Sequence, residues 1–268
     1  MITSTSNPKI KELVQLKKKS RIRDKEGVFL AEGIRLVKEM PPERIKALYI
    51  SESWREKNQK EASRLVHGKE GAEVQILSDT VFAYVSDTKT PQGILAVVRQ
   101  MEYDLPDITG ERRGQVPHIL VLDNLQDPGN LGTIFRTAEA AGATGILMSR
   151  ECVDIYNPKV IRSTMGAICR VPFYYAEDIC TEIEKLKEKK ISVYAAHLEG
   201  KTFYDEEDYR EGCAFLIGNE GNGLREEVAA CAGCRVRIPM EGQAESLNAA
   251  VASAVLMYEV SRQRRRQE

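Results

Sequence analysis

Residues 118–149 read HILVLDNLQDPGNLGTIFRTAEAAGATGILMS. The apolar run at residues 118–122 is typical of a buried strand, and a second apolar run closes the stretch. Between the two runs, Asp127 predicts a helix cap, Pro128 fits the first helical turn, and Gly142 marks the end of the helix. A strand, a helix and a second strand in this order predict a parallel sheet.

The alternation continues along the chain, with strands expected at residues 171–174, 191–196 and 214–217 and helices between them. Short apolar strands separated by helices predict a mainly parallel sheet with helices on both faces. Because knotted chains are rare, these patterns alone favour an unknotted, doubly wound α/β sheet.

A smaller α/β domain is expected ahead of this sheet, because residues 7–98 also alternate helical and strand patterns. The segment MEYDLPDITGERRGQVP at residues 101–117 interrupts the alternation and has the proline, glycine and charge content of a linker. We therefore expect a first domain at residues 1–100, a linker at 101–117 and a second domain at 118–268.

The composition, with 42% hydrophobic and 29% charged residues, is that of a folded protein outside the membrane. No stretch approaches the roughly 20 apolar residues of a membrane span, and the start shows no secretion signal, so we expect a cytoplasmic protein. The cysteines are expected to be reduced thiols. Cys231 and Cys234 form a CxxC pair, but without a second pair or a nearby histidine no metal site is expected.

Positive charge is concentrated near the start, although the formal net charge of the chain is −1. The basic run at residues 9–25 includes Lys17, Lys18 and Lys19, and residues 262–266 read RQRRR. Clustered cations of this kind indicate a nucleic-acid partner. A solvated helix face and a frayed tail explain the charge alone equally well.

Two motifs are candidates for a ligand site. In residues 123–138, Gly132 and Arg136 lie one helical turn apart after a strand, where α/β sheets place their ligands, although an ordinary glycine-rich connection is as good an explanation. Residues 215–224 read FLIGNEGNGL, with Glu220 among three glycines. This loop matches neither the dinucleotide nor the P-loop pattern, and it is either a ligand-binding loop or a turn.

A third motif, residues 238–259, begins Ile-Pro-Met and continues into a predicted helix with Ser246 as its N-cap. The residues of this helix are small or apolar on almost every face, so it must be buried in its own domain or against a second copy of the chain. On its own, the motif predicts a central helix and no particular chemistry.

Together, the three motifs resemble in order and spacing the SpoU, or TrmH-like, branch of the knotted RNA 2′-O-ribose methyltransferases, over residues 118–260. The pieces that match this branch are Asn130-x-Gly132-x-x-x-Arg136-Thr-Ala138, Leu216-Ile-Gly-x-Glu220-x-x-Gly223-Leu224, and Ile238-Pro-Met with Ser246-Leu-Asn248. The N-terminal pieces that are similar to the substrate-binding domain of the same family are Glu32-Gly-x-Arg35 and Thr90-Pro-Gln-Gly93.

The resemblance implies a fold that the patterns alone do not predict. It implies a SPOUT-type, mainly parallel sheet tied into a trefoil knot, with a smaller N-terminal α/β substrate-binding domain, and a homodimer formed through the knotted domain. The implied cofactor is S-adenosylmethionine. The residues implied to hold it are Leu216, Gly218, Ile238, Met240 and Leu247.

The implied reaction is methyl transfer to a ribose 2′-hydroxyl of RNA, with ribosomal RNA favoured over transfer RNA. A guanidinium essentially never loses its proton in a protein, so Arg136 is expected to stabilise the developing oxyanion, with general base as the alternative role. The residues expected to orient Arg136 and the substrate are Asn130, Glu220, Ser246 and Asn248. The residues expected to contact RNA are Lys17, Lys18, Lys19 and Arg35.

Two other functions are compatible with these patterns. A nonenzymatic RNA-binding protein could keep the fold and lose catalysis, although the intact Asn130 and Arg136 argue against this. A nucleotide-binding enzyme such as a dehydrogenase would also be an α/β protein, but the GxGxxG pattern is absent. Measuring which of S-adenosylmethionine, NAD or ATP raises the melting temperature separates the cofactor classes.

Overall fold

The computed structural model describes residues 1–67 and 72–265, which form two compact units. Each unit has a hydrophobic core of its own. The first unit contains Met1–Met101 and Asp154–Cys169, and the second contains Glu102–Val153 and Arg170–Glu268.

The first unit is built on a mixed sheet. Up to residue 101, its elements in chain order are α1 (Pro8–Lys18), α2 (Ser20–Glu26), β1 (Val28–Glu32), α3 (Ile34–Glu39), β2 (Ile45–Ser51), α4 (Glu52–Lys57), α5 (Gln59–His67), β3 (Glu73–Leu77), α6 (Asp79–Val85) and β4 (Ile94–Arg99). The sheet order is β1-β4-β2-β3, with β4 antiparallel to both neighbours and β3 parallel to β2. The α/β alternation predicted for residues 7–98 is therefore confirmed.

The rest of the chain carries the larger sheet. Its elements are α7 (Leu105–Ile108), β5 (His118–Leu122), α8 (Pro128–Ala141), β6 (Gly145–Ser149), α9 (Pro158–Thr164), β7 (Phe173–Ala176), α10 (Ile179–Glu188), β8 (Ser192–Ala196), β9 (Thr202–Phe203), β10 (Cys213–Ile217), α11 (Glu226–Ala229), β11 (Cys234–Arg237) and α12 (Ala249–Arg265). Strands β5 to β11 form one parallel sheet in the order β7-β6-β5-β10-β8-β11-β9. The predicted parallel sheet is confirmed, and the trefoil knot stays a prediction.

Helices cover this sheet on both faces. Helix α12 packs against α8, β5 and β10. A separate core cluster joins α7, α10 and α11 to the sheet and takes the alternate residues Ile119 and Val121 of β5. The intervening residues Leu120 and Leu122 are also fully buried, so both faces of β5 are covered, which is why the strand is continuously apolar.

Helix α8 has the ends that its sequence predicts. The Asp127 side chain caps it by accepting a hydrogen bond of 2.8 Å from the N–H of Asn130, and Pro128 is its first residue. Gly142 ends the helix with a φ of 74°, a left-handed conformation that favours glycine. The helix therefore starts directly after the carboxyl end of β5.

Residues 154–169 join the first unit although they lie between β6 and β7 in the chain. The ring of Tyr156 stacks on Phe29, with 4.9 Å between the centroids. The buried guanidinium of Arg23 pairs with the Asp154 carboxylate, 131 positions away in the sequence. One of the cations in the basic run is therefore part of the packing and not a surface charge.

Part of the segment predicted as a linker is helical. Asp104 and Asp107 form a capping box around α7, in which each side chain accepts a hydrogen bond from the other's backbone N–H. Ile108 is buried in the core of the second unit. The domain boundaries drawn from the sequence stay a prediction.

Basic residues near the C-terminus make hydrogen bonds and an ion pair within the chain. Arg264 donates to the carbonyl oxygens of Pro117, at 2.9 Å, and Glu211, at 2.7 Å. Arg262 pairs with the carboxylate one turn earlier in α12, at 2.6 Å. The run predicted as a nucleic-acid patch therefore has a structural role at these two positions, and Arg266 lies outside the described residues.

His118 is buried at the start of β5, and its Nε2 has no hydrogen-bond partner among the described residues. Burial, assisted by the charge of Arg264, lowers the pKa of His118 from 6.5 to about 3. Between these two pKa values the unfolded chain binds a proton that the folded chain does not, so acid favours unfolding.

We therefore expect a pH-dependent difference between the wild type and His118→Leu. Between pH 7 and pH 5, the wild type should lose about 2 kcal/mol more of its free energy of unfolding than the variant. Urea unfolding of both proteins at the two pH values measures this difference. Equal losses would show that His118 titrates normally in the folded chain.

Candidate active site

A cavity of about 640 Å³ opens at the carboxyl ends of β8, β10 and β11 in the second unit. Its walls come from residues 197–199 after β8, residues 218–224 after β10 and residues between 238 and 247 after β11, and α12 closes one side. This is the edge at which parallel α/β sheets bind ligands. The volume falls within the range of small-molecule sites.

The loop after β10 folds back on itself. Asn219 and Gly223 exchange two backbone hydrogen bonds of 2.9 Å, and the Asn219 side chain accepts from the N–H groups of Gly221 and Asn222. Gly218 touches the returning backbone, where a Cβ would lie 2.1 Å from the carbonyl carbon of Gly223. Only glycine fits at that position, so the second motif is a tightly built loop that lines the cavity.

An ion pair between a buried aspartate and a half-buried arginine holds the end of this loop. Asp123, fully buried after β5, accepts from the Arg225 guanidinium at 2.6 and 3.0 Å and from the Arg225 backbone N–H at 3.1 Å. The hydrogen bonds to Asp123 raise the pKa of Arg225. Because an unpartnered buried carboxylate would cost about 3 to 5 kcal/mol, this pair fixes the loop against the end of β5.

Side chains from the three motifs form one hydrogen-bond chain beside the cavity. The Glu220 carboxylate accepts from Asn130 Nδ2 at 3.0 Å, and Asn130 Oδ1 accepts from Asn248 Nδ2 at 2.9 Å. Asn248 Oδ1 in turn accepts from the N–H of Ala250 at 2.9 Å. The chain thus runs from the loop after β10, through the start of α8, to the N-terminus of α12.

Glu220 is held as a carboxylate. Besides Asn130, the backbone N–H groups of Gln126 and Asp127 donate to it at 3.1 and 2.9 Å. Partial burial raises the pKa of Glu220, but these hydrogen bonds outweigh burial and keep the pKa below its ordinary value. At neutral pH Glu220 therefore orients its neighbours as an acceptor and has no proton to donate.

The N-cap of α12 differs from the prediction. Helix α12 begins one residue after Asn248, whose side chain accepts from the N–H groups of Ala250 and Val251. Ser246 is exposed and lines the cavity instead. The prediction of Ser246 as the cap is wrong, because asparagine caps as well as serine does and Asn248 is also held by Asn130.

Arg136 stands apart from this chain of side chains. It is exposed on α8, does not line the cavity, and has no hydrogen-bond or ion-pair partner among the described residues. It follows Asn130 by six residues, which corresponds to about 9 Å along the helix and about 240° around it. The two side chains therefore leave different faces of α8.

Most residues predicted to hold a cofactor line the cavity. Those that do are Gly218, Ile238, Met240 and Leu247. Leu216 does not, because it lies within the central strand β10 and its side chain is fully buried in the core beneath the sheet.

Two further parts of the wall, after β8 and at the end of β11, lie outside the three sequence motifs. His197, Leu198 and Glu199 line the cavity, and so does Arg237. His197 Nδ1 accepts a hydrogen bond of 3.1 Å from the N–H of Glu199, which fixes the imidazole. The available signal for residues 197–199 was their position just after the strand predicted at residues 191–196, at the ligand edge of the sheet.

The thiols of the CxxC pair point to different neighbours. Cys231 Sγ contacts the carbonyl of Glu227 at 3.2 Å, whereas Cys234 Sγ contacts the carboxylate of Glu207 at 3.6 Å. All six cysteines are free. Within the described part of the chain, no group of three or more His, Cys, Asp or Glu side chains is arranged to hold a metal ion.

The basic residues of the first unit divide into structural and exposed ones. Lys17 Nζ donates to the carbonyl of Ser86 at 2.9 Å and so caps the end of α6. Lys18 and Lys19 are exposed and have no ion-pair partner among the described residues. Of the three lysines predicted to contact RNA, Lys17 is therefore already engaged within its own unit.

The two short motifs of the first unit meet at the ends of β1 and β4. Ile34 N–H donates to Gln92 Oε1 at 3.3 Å, and Gly33 N–H donates to the carbonyl of Ile94 at 2.9 Å. Gly33 has a φ of 100°, which favours glycine, and a Cβ there would lie 2.9 Å from Gln92. The motifs therefore form one loop pair, with Arg35 exposed beside it.

Comparison with known proteins adds family matches over most of the chain. The profile of the SpoU rRNA Methylase family matches residues 117–258, and that of the MRM3-like substrate binding domain matches residues 7–96. The chain is 33% identical over 259 residues to the 23S rRNA (guanosine(2553)-2′-O)-methyltransferase RlmP of Bacillus subtilis, with 96% of this chain and 97% of the relative covered.

Solved structures are similar over nearly the full length. An AdoMet-bound rRNA methyltransferase from Sinorhizobium meliloti has a TM-score of 0.84 and 32% identity, with 97% of each chain covered. The SpoU methyltransferase AviRb from Streptomyces viridochromogenes, in complex with AdoMet, has a TM-score of 0.85 and 25% identity, with 96% of this chain and 98% of that chain covered.

Proposed function

This chain belongs to the SpoU rRNA methylase family, and we propose that it transfers a methyl group from S-adenosylmethionine to a ribose 2′-hydroxyl of ribosomal RNA. The family gives the reaction class and the cofactor: an S-adenosylmethionine-dependent RNA 2′-O-methyltransferase. Ribosomal RNA is proposed because the RlmP relative is named for 23S rRNA. The observation that carries the proposal is the hydrogen-bond chain from Glu220 through Asn130 to Asn248 beside the cavity.

The cavity is the proposed cofactor site, and its residues fit such a ligand. Gly218 leaves room for the folded loop, whose residues line the cavity, and Ile238, Met240 and Leu247 supply apolar walls. Apolar walls combined with fixed polar groups are the usual form of a cofactor site, and this cavity has both. When bound, S-adenosylmethionine supplies the methyl group, carried on a sulfonium.

The polar chain positions the groups that meet the ribose. The Glu220 carboxylate decides which way the Asn130 amide points, since Nδ2 must face Glu220 and Oδ1 then faces Asn248. Groups held in place in this way cost no reorganisation during the reaction. Arg136 is proposed to stabilise the developing oxyanion electrostatically, and its exposed, unpaired guanidinium is available to the RNA for this role.

Mapping ribose methylation tests the reaction and the RNA together. Ribosomal and transfer RNA from cells with and without the gene should differ at a 2′-O-methylated nucleotide of ribosomal RNA. Restoring the wild-type gene should restore that mark, whereas an Arg136→Ala gene should not. If binding to ribosomal RNA persisted and no methylated position depended on the gene, the protein would be a nonenzymatic RNA-binding member of the family.

We also propose that Lys18, Lys19 and Arg35 on the first unit contact the RNA. Changing Lys18 and Lys19 to Gln should weaken RNA binding and reduce the slope of log affinity against log salt by up to about two phosphate contacts. Lys185→Gln with Lys187→Gln, on α10, removes the same charge from residues already paired with carboxylates and should leave the slope unchanged. Equal slopes for both double variants would show that Lys18 and Lys19 only solvate the surface and do not contact RNA.

The chain is further proposed to form a homodimer through α12. One face of this helix packs on α8 and includes the buried Ala250 and Ser253, so these small residues serve contacts within the chain. The other face exposes Val251 and Tyr258, 49% and 48% accessible and two helical turns apart. An apolar stripe on an otherwise buried helix fits a second copy of the chain.

Val251→Glu combined with Tyr258→Glu should convert the dimer to a single chain at micromolar concentration. Obligate interfaces bury about 2,000 Å² or more of largely apolar surface, and the two new carboxylates would have to be buried in it. Light scattering gives the mass directly. Val116→Glu is the control, since Val116 is 47% accessible and lies outside α12. A one-chain mass for the folded wild type would contradict the dimer.

Three further properties are proposed, the first from the family resemblance and the other two from the sequence. These are the trefoil knot, the domain boundaries at residues 1–100 and 118–268 with a linker between them, and a cytoplasmic location. The described residues contain no helix long and apolar enough to cross a membrane.

A further inference from the structure

One arginine on the cavity wall has no role in the chemistry described above. Arg237, the last residue of β11, is the only lysine or arginine on the wall among the described residues. Its backbone is paired with the short edge strand β9, in which Phe203 is its direct partner. The Arg237 guanidinium lies over the Phe203 ring, 4.5 Å from the ring centroid.

The guanidinium of Arg237 is held but not neutralised. Arg235, two residues earlier on the same strand, pairs with the carboxylate of Glu226. Arg237 has no carboxylate within ion-pair distance among the described residues, and stacking on an aromatic ring leaves the guanidinium edge open for hydrogen bonds. An oriented cation without a counter-ion, on the wall of a cavity, is a receptor for an anionic group of a ligand.

We propose that Arg237 binds the carboxylate of S-adenosylmethionine, an inference that rests on the cavity being the cofactor site. The carboxylate is the anionic group of this cofactor, and a guanidinium matches it with two parallel hydrogen bonds. The ring of Phe203 restricts the guanidinium in advance, so less side-chain freedom is lost on binding.

Position in the sheet separates this role from contact with RNA. Strand β8 lies between β10, which leads into Glu220, and β11, which ends at Arg237. Two strand spacings amount to about 10 Å. Arg237 and the polar chain thus follow different strands of the cavity wall, and we place the amino-acid end of the cofactor at Arg237 and the reacting ribose at the polar chain.

Calorimetric titration of the full chain with three ligands tests this assignment. The ligands are S-adenosylmethionine, S-adenosylhomocysteine and 5′-methylthioadenosine, which keeps the adenosine and sulfur but lacks the amino-acid end. Arg237→Gln should weaken binding of the first two by about tenfold and leave the third unchanged. Phe203→Leu should weaken the first two by a smaller factor, because the cation remains but is no longer oriented.

Lys201→Gln is the matched control, because it removes one exposed positive charge just before β9 without touching the cavity. The inference is overturned if Arg237→Gln resembles Lys201→Gln for all three ligands, or if it weakens 5′-methylthioadenosine equally. It is also overturned if cofactor affinity is unchanged while the KM for RNA rises, which assigns the cation to a phosphate of the RNA. A wild type that binds none of the ligands would instead refute the cofactor site, and this inference with it.

Discussion

Gly218→Ala is expected to bind S-adenosylmethionine about a hundredfold or more weakly than the wild type. A Cβ at this position would lie 2.1 Å from the carbonyl carbon of Gly223 and 2.2 Å from the backbone nitrogen of Leu224. Neither atom belongs to a flexible side chain, so the loop must move by more than about 1 Å to reach ordinary contact distance. A misplacement of about 1 Å can cost about a hundredfold in the positioning of reacting groups, and we expect a loss of similar size where this loop contacts the cofactor.

The same loop supplies the control. A Cβ at Gly221 would have Asn219 Oδ1, at 3.6 Å, as its nearest neighbour, which is an ordinary contact. Gly221→Ala should therefore leave the fold of the loop unchanged and lose much less cofactor affinity than Gly218→Ala. Calorimetry gives both affinities, and thermal unfolding shows how much of the loss at residue 218 is folding stability. Normal cofactor affinity in Gly218→Ala would refute the placement of the cofactor against this loop.

Arg136→Ala is expected to lower the rate of methyl transfer by about a hundredfold or more while cofactor affinity stays nearly constant. Loss of one donor that stabilises a developing oxyanion has an effect of this size. Cofactor affinity should hold because Arg136 does not line the cavity. Folding should also hold, because the side chain is exposed and has no partner among the described residues. Single-turnover kinetics with saturating cofactor measure the chemical step.

Two further variants define what Arg136 does. Arg136→Lys keeps the charge without the planar fork and should recover part of the rate. Arg150→Ala removes another exposed arginine of the second unit, paired with Glu177, and should leave the rate unchanged. A normal rate in Arg136→Ala, or a loss of cofactor binding equal to the loss of rate, would contradict the assigned role.

Local features of this protein were predictable because each depends on neighbours in the sequence. Helix α8 is the clearest case: Asp127 caps it, Pro128 starts it and Gly142 ends it, as their chemistry requires. The parallel strands followed from short apolar runs separated by helices. The glycine-rich loop around Glu220 was also recognisable as a candidate, since three glycines in six residues indicate tight backbone.

The site itself was decided by the tertiary structure. Asn130 contacts Glu220, 90 positions away, and Asn248, 118 positions away, and the direction of its amide depends on both. The N-cap of α12 also depends on a long-range contact. Asn248 caps the helix through the N–H of Ala250 and is held in place by Asn130, whereas the sequence alone favoured Ser246.

Long-range packing also determined the roles of charged residues, which the composition could not predict. Arg23 lies in a basic run and yet is buried against Asp154. Arg237 lies in a short strand outside the basic runs and yet lines the cavity, with its guanidinium over Phe203. Local propensity depends on a residue and its immediate neighbours, so the sequence alone determined the elements and their ends. The partners of polar and charged side chains depend on which strands become adjacent in the folded sheet, and only the tertiary structure decided them.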